Sequence, residues 1–343
     1  AFSKARKKIK AEAIEELLRT SVTGSYHEEW KRWRGYRLMA VDGSFIRLPS
    51  APALLEYFGG LGKEVAAASA PASMLFDVEN GIVAGAKIVP VSGNGRALAK
   101  EHVRVLEKLE SYERGKELIV FDRGYPSHEL IKFLQDKETG YVMRIRKGFI
   151  SEKKLPEGRD GYAKLGKSGQ RARVIQITLP GGEEETLVTN AGEERLEYEA
   201  FQELYNKKRG IETEYKTVKQ KLELENSSGR TVETIKQDFY AVMTLANMPA
   251  CLVREAGRKV KKEREKRGNK YEYRVNVNHA VGILKDRLIG VLLEERPGKR
   301  VRLMKELVRE IGRRVVPVRL NREVARNKTP RKARFHHNHE SNC

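Results

Sequence analysis

The sequence predicts an α/β protein, a mixed sheet flanked by helices with an all-β insertion before the last core helix. Apolar runs of strand length alternate with stretches of 3.6-residue period in the order β-β-β-α-β-α-β-α. Two of the strands carry an isolated acid, Asp42 and Asp122, at or beside their apolar runs. Between residues 149 and 195 short β-like runs alternate with Gly-rich turns, and from Leu196 the helical period returns.

Residues 4–19 read as a basic amphipathic helix, and HEEWKRWRGYR (27–37) as a polar connector carrying Trp30 and Trp33. The first strand is YRLMAVDGSFIRLP (36–49), an apolar run broken by the turn-forming pair Asp42-Gly43 before it resumes. ASMLFDVENGIVAGAKIVP (72–90) has the form of a hairpin, two apolar runs about Glu79-Asn80-Gly81. Ser92-Gly93-Asn94 offers an N-cap to a helix over 96–110. KELIVFDRGYPSHELIKFLQ (116–135) is a short strand ending at Asp122, a turn, and a helix from about Ser127, after which YVMRIRKG (141–148) is a further strand. RARVIQITLP (171–180) and EETLVTN (184–190) are the clearest strands of the insertion. A helix from Leu196 stops at Asn226-Ser227-Ser228-Gly229, and a second, apolar enough to be buried, spans 231–248. The basic segment 257–270 reads as exposed or partly disordered, 279–316 as weakly helical, and 317–343 as trailing. The expected parts are an N-terminal helical remnant (1–35), a core in two pieces (36–148 and 196–256) around the insertion (149–195), and a basic C-terminal region (257–343).

The 343 residues carry a formal charge of +21. Residues 1–250 hold 41 Lys and Arg against 36 Asp and Glu, while 251–343 hold 27 against 11, so the excess sits in the last quarter. Such an excess suits a polyanion, nucleic acid first, because cations that neutralise phosphates release counterions. The two cysteines, Cys251 and Cys343, support neither a disulfide framework nor a Cys-based zinc site, which fits a reducing cytoplasm. No run of about eighteen apolar residues predicts a membrane span, and the N-terminus lacks a signal-peptide pattern.

An unpaired carboxylate in an apolar strand is costly unless something cationic compensates it. Taken singly, Asp42 and Asp122 also suit ordinary turns. A third acid, Glu212, shares a helical stripe with Tyr205, Lys208 and Lys219 in YNKKRGIETEYKTVKQ (205–220). Together the acids suit a pair of Mg²⁺ ions, or Mn²⁺ in their place, about 4 Å apart, the arrangement that activates an attacking oxygen and stabilises a leaving one in phosphodiester cleavage. Tyr205, Lys208 and Lys219 can each bond a phosphate oxygen, and Arg123 can either contact phosphate or balance Asp122.

AVDGSFIRLP, VFDRGYPS and YNKKRGIETEYKTVKQKLELENSSG resemble the DDE transposases of bacterial insertion sequences, specifically the insertion sequence 4 family. That family's third motif runs Tyr, two residues, Arg, three residues, Glu, six residues, Lys. The resemblance covers almost the whole chain and implies an RNase H-like core in which Asp42, Asp122 and Glu212 bind two Mg²⁺. It further implies cut-and-paste chemistry on double-stranded DNA: nicking at the terminal inverted repeats, then attack of the freed 3′-hydroxyl on target DNA. Family members commonly pass through a hairpin intermediate and work as dimers, which implies a homodimer in the DNA complex of a nucleoid-associated cytoplasmic protein.

Two departures stand out. Lys208 and Arg209 occupy the places of Arg and, usually, Trp, so a planar guanidinium gives way to a point charge; Arg209 could supply the guanidinium from one position along, rotated by about 100° on the helix. Only about forty residues precede the first motif, where the family carries a region that recognises its inverted repeats. The alternatives are therefore a catalytically impaired, truncated DNA-binding remnant and a structure-specific nuclease on the same core. His336-His337-Asn338-His339 reads as a solvated or DNA-proximal tail, His102 as a core histidine, Gly59-Gly60-Leu61-Gly62 as a turn or lid lacking a phosphate-loop ending, and 259–267 as a solvated helix that could track phosphates.

Overall fold

The structure, a computed structural model, describes residues 2–26, 30–60, 68–151, 155–166, 169–179, 182–204, 207, 224–265 and 273–317. It divides into two compact units, residues 1–247 and 248–343.

The first unit is built on one eight-stranded mixed sheet. Its strands are β1 (Arg37–Arg47), β2 (Ser69–Asp77), β3 (Ile82–Ile88), β4 (Glu117–Phe121), β5 (Gly140–Arg144), β6 (Asp160–Leu165), β7 (Gln170–Thr178) and β8 (Glu184–Thr189). They lie in the order β3-β2-β1-β4-β5-β8-β7-β6. β1, β4 and β5 are mutually parallel, and every other pairing is antiparallel. The five-strand order β3-β2-β1-β4-β5, flanked by helices, is that of an RNase H-like core. Helices α1 (Phe2–Arg6), α2 (Ala11–Ser25), α3 (Pro52–Phe58), α4 (Gly95–Leu106) and α5 (His128–Asp136) belong to this unit. Asn94 caps α4 by accepting from the Arg96 N–H, and Ser127 caps α5 by accepting from that of Leu130.

One detail differs from the sequence reading, and one adds to it. β1 is not broken at Asp42-Gly43: it runs unbroken for 11 residues, with Asp42 opposite Met74 and Gly43 opposite Ser73 on β2. A continuous ladder to β2 satisfies the backbone that a turn would have left to local bonds. β6, β7 and β8, the strands of the insertion, extend the core sheet from β5 through the antiparallel pairing of Val142 with Thr189 and Arg144 with Leu187. Their addition covers what would otherwise be the exposed edge of β5.

On one face Leu38, Leu118, Val120 and Val142 pack with Ile175, Ile177 and Leu187 beneath Leu196, Ala200, Phe201 and Leu204. At the far edge Asn247 stands in for a strand: its amide oxygen accepts from the Val83 N–H at 2.7 Å and its amide nitrogen donates to the Val83 carbonyl at 3.0 Å.

At the N-terminal ends of β1 and β4, Arg37 and Glu117 are register partners and both fully buried. The guanidinium donates from Nε at 2.8 Å and from Nη2 at 2.5 Å, a bidentate pair, and bonds Ser111 as well. It also lies over the rings of Tyr26 and Trp30. At the β2–β3 turn, buried Asp77 accepts from the Tyr26 hydroxyl and from the Glu79 and Asn80 backbone. Burial pushes its carboxyl up to about 6, against the opposing pull of these hydrogen bonds and of Arg37.

The second unit holds a cluster formed by Ala256, Val260, Val275, Ala280, Ile283, Leu284, Leu288, Leu307, Val308 and Ile311. It includes the helices Val277–Leu292 and Pro297–Arg313, which are regular where the sequence suggested weak helices. The helix Val232–Glu265 continues through Pro249 into basic residues expected to be exposed or partly disordered.

Two outcomes follow from the buried charges. Glu117→Gln strands the Arg37 charge, so urea unfolding should show a loss of about 3–5 kcal/mol, and a loss below about 1 kcal/mol would mean that the pair does not hold the register. Because the folded-state pKa of Asp77 is raised, its contribution is fully present below about pH 4 and is lost as pH rises through about 6. Relative to the wild type, Asp77→Asn should therefore gain about 3 kcal/mol between pH 4 and 7. A pH-independent difference between the two would contradict this.

Candidate active site

The parallel strands place two acids side by side. Arg37 pairs with Glu117 and the register continues to Val41 with Phe121, so Asp42 and Asp122 follow as the next pair. On β5, Met143 is the partner of Phe121, which puts Arg144 level with Asp122. Side chains alternate along a strand, so Asp42, Asp122 and Arg144 lie on the face that also carries Leu38, Val120 and Val142. This row stands at the carboxyl ends of adjacent parallel strands, where open α/β sheets offer a crevice. A small cavity of about 10 Å³ between Val120, Val142, Arg144, Phe201 and Leu204 opens next to it.

Both aspartates are accessible at this edge. Asp42 is half-buried and accepts from the Gly43 N–H at 2.8 Å, and the Asp122 side chain is about half exposed at 51%. Arg144 Nη1 lies 4.0 Å from Asp122 Oδ1. Its main partner, however, is Glu185 on β8, a carboxylate only 2% exposed that binds Arg144 through two nitrogens. Arg123 donates to the same carboxylate at 2.7 and 2.8 Å. A buried acid supplied by the insertion thus holds two arginines beside Asp122, since a buried carboxylate needs both charge and hydrogen bonds to be tolerated.

Behind the sheet edge lies a second polar group. Tyr125 closes the turn after β4 by donating its N–H to the Asp122 carbonyl at 3.1 Å. Its ring lies 5.6 Å from that of Phe121, and its hydroxyl oxygen stands 3.1 Å from where a Cβ on Gly43 would lie. Burial raises the phenol to about 12, and the charges of Asp42 and Asp122 both add to the rise. Ser73 Oγ lies 2.9 Å from Nε2 of His102, which is fully buried on α4. Burial, with Lys87 contributing, pushes His102 down to about 3, so it is the neutral core histidine expected.

The family described as Transposase DDE domain matches residues 33–248, a span that contains all of these elements. The chain belongs to that family. It is also similar to the piggyBac transposase in a solved synaptic complex with hairpin DNA, at 13% sequence identity and a TM-score of 0.43, over 81% of this chain and 53% of that one. The chain therefore spans about half the length of that transposase. No curated protein matches.

Of the residues singled out from the sequence, Asp42 and Asp122 directly follow the last registered pair of β1 and β4, and Arg123 turns to Glu185. Tyr205, Lys208, Arg209, Glu212 and Lys219 lie outside the described residues, as does the histidine tail. Arg144, Glu185 and Tyr125 had not been singled out. Arg144 could have been found by aligning the ends of the two parallel strands, whereas Glu185 sits among three consecutive glutamates that look alike in sequence. Two carboxylates at an open strand end suit a hard divalent cation, which takes one or two carboxylates and fills its other positions with water and phosphate. Among the described residues no group of three or more His, Cys, Asp or Glu completes such a site.

Proposed function

We propose that the transposase domain cuts DNA at transposon ends and transfers the freed 3′-hydroxyl to target DNA, as a member of the insertion sequence 4 family from a bacterium. The observation that carries this is the placement of Asp42 and Asp122 directly after the registered pair Val41–Phe121 at the open end of adjacent parallel strands, within a chain of the transposase DDE domain family. Asp42 and Asp122, with Glu212 by the spacing of its motif, would hold two Mg²⁺, or Mn²⁺. Such ions activate the attacking oxygen and stabilise the leaving one. The protein's own contribution is to orient the carboxylates and to border them with Arg144 and Arg123, whose guanidinium groups suit phosphate oxygens. Tyr205, Lys208, Arg209 and Lys219 are the further DNA contacts this proposal assigns.

Double-stranded DNA as the partner is supported by the placement of the charge excess, and its engagement by a homodimer is what the family resemblance implies. On the helix Pro297–Arg313 the exposed residues Arg302, Lys305, Arg309 and Arg313 fall within about 80° of one another around the axis, opposite buried Leu307 and Ile311. Arg302 lies near Glu306 at 3.8 Å, whereas Lys305, Arg309 and Arg313 have no acidic partner among the described residues. Such a stripe of exposed cations on one helix face is a surface for phosphates.

Incubation of a plasmid carrying the element's ends with Mg²⁺ or Mn²⁺ should give cuts at those ends that disappear in Asp42→Asn and Asp122→Asn. Salt-sensitive DNA binding without cutting by the wild type would instead favour the impaired-remnant alternative, which the Lys208-Arg209 departure motivates. Replacing Lys305, Arg309 and Arg313 by Gln should flatten the log-affinity against log-salt slope by about 0.9 per residue. An unchanged slope would remove the stripe from the DNA interface.

A further inference from the structure

We propose that the end of the sheet opposite the acids is a second DNA-binding surface, which grips the phosphate backbone of a duplex other than the one held at Asp42 and Asp122. It rests on the reading of the chain as a DNA-binding protein and is independent of the metal site.

The amino ends of the parallel strands open onto a cleft of about 680 Å³ lined by Arg34, Arg114, Lys116 and Arg195. Among the described residues that line it the one acid is Glu138, which Arg114 already engages at 2.8 Å. Arg34 is held by Glu203 at 3.2 Å. Lys116 and Arg195 are exposed and have no acidic partner among the described residues. Cations on the walls of one cleft reinforce each other's field, because the protein between them screens less than water does.

Gln135, also in the cleft wall, donates from Nε2 to the Arg171 carbonyl at 3.1 Å and so joins the cleft to the hairpin of β6 and β7. There Arg171 is the register partner of Lys164, and both are exposed without an acidic partner among the described residues. Like charges directly opposed across an antiparallel pair destabilise it. A phosphate oxygen between them would replace that repulsion with two charge-assisted hydrogen bonds. The Arg171 guanidinium also lies 4.2 Å from the centroid of the Tyr162 ring, which is 46% exposed.

The spacing of these cations selects the ligand. Lys116 precedes β4, Arg195 follows β8, and Arg171 and Lys164 stand on β7 and β6, so the row crosses the strand spacings from β4 to β6, about 19 Å. A free phosphate or a single nucleotide reaches only part of such a row, whereas each strand of a duplex presents a phosphate about every 3.4 Å along its axis. The duplex is a second one because Lys116 and Asp122 stand at opposite ends of β4, about 20 Å apart, and α4 and residues 196–204 cover the two faces of the sheet between those ends. A straight duplex lying across the acids therefore does not reach the cleft.

The test is DNA bridging by the whole chain in EDTA, which prevents cutting: the chain is loaded on a bead-bound duplex, washed, and offered a second, fluorescent duplex. The wild type should capture the second duplex. Lys116→Gln with Arg195→Gln, and separately Lys164→Gln with Arg171→Gln, should each lower that capture about tenfold, while the amount of chain on the first duplex changes by less than about twofold. The charge-keeping exchange Lys116→Arg with Arg195→Lys should retain capture. Capture that survives both glutamine pairs, or that falls only when Lys305, Arg309 and Arg313 are replaced, would overturn the proposal. So would a wild-type chain that holds the first duplex and takes no second, and so would loss of the first duplex in either glutamine pair, which would place these cations on that duplex. A wild-type chain that holds no duplex at all would overturn the DNA-binding reading itself.

Discussion

The register of β1 on β4 is the constraint on which the rest of the site depends. At one end of the pair Arg37 and Glu117 are buried opposite each other, and five residues later Asp42 and Asp122 meet at the other. A slip by one residue would send one acid to the opposite face of the sheet, and a slip by two would separate the acids along the strands. A buried ion pair is a weak source of net stability, but it penalises wrong registers heavily because each would leave a charge unpaired in the core. The two ends of the strand pair therefore divide the work, one specifying alignment and the other using it.

Around the acids, each face of the sheet edge is secured by a different device. On the side shared with residues 196–204, the insertion strand β8 contributes Glu185, which gathers Arg123 and Arg144 beside Asp122. On the other side the turn after β4 is tied to α4 through Arg96, which donates to the carbonyls of Tyr125 and Pro126. The β-rich insertion is thus part of the site's construction, since without β8 the two arginines would lack their buried carboxylate. Concentrating cations near acids in this way lowers the repulsion between neighbouring carboxylates while leaving both accessible at the strand ends.

Much of the core was legible in the sequence because its signals are local. The apolar run around Asp42, the Glu79-Asn80-Gly81 turn, the caps Asn94 and Ser127 and the strand ending before Asp122 are each set by residues within a few positions of one another. The continuity of β1 through Asp42-Gly43 was not legible, since the turn chemistry of that pair is overridden by the ladder to β2. Nor was the joining of β6–β8 to the core sheet, because strand pairing across 40 or more residues leaves no mark on local periodicity. Arg144, Glu185 and Tyr125 acquire meaning only through partners distant in sequence. Glu212 and its stripe remain identified by motif spacing, as they lie outside the described residues.

The central claim is that strand register brings Asp42 and Asp122 together as ligands of a divalent cation, and the most direct measurement is anomalous diffraction from crystals of the chain grown with Mn²⁺. The account predicts a Mn²⁺ peak within ligand distance of both carboxylates, about 2.0–2.4 Å from an oxygen of each. Ordered Asp42 and Asp122 side chains with Arg144 bound between them, and Mn²⁺ absent or held elsewhere, would contradict it.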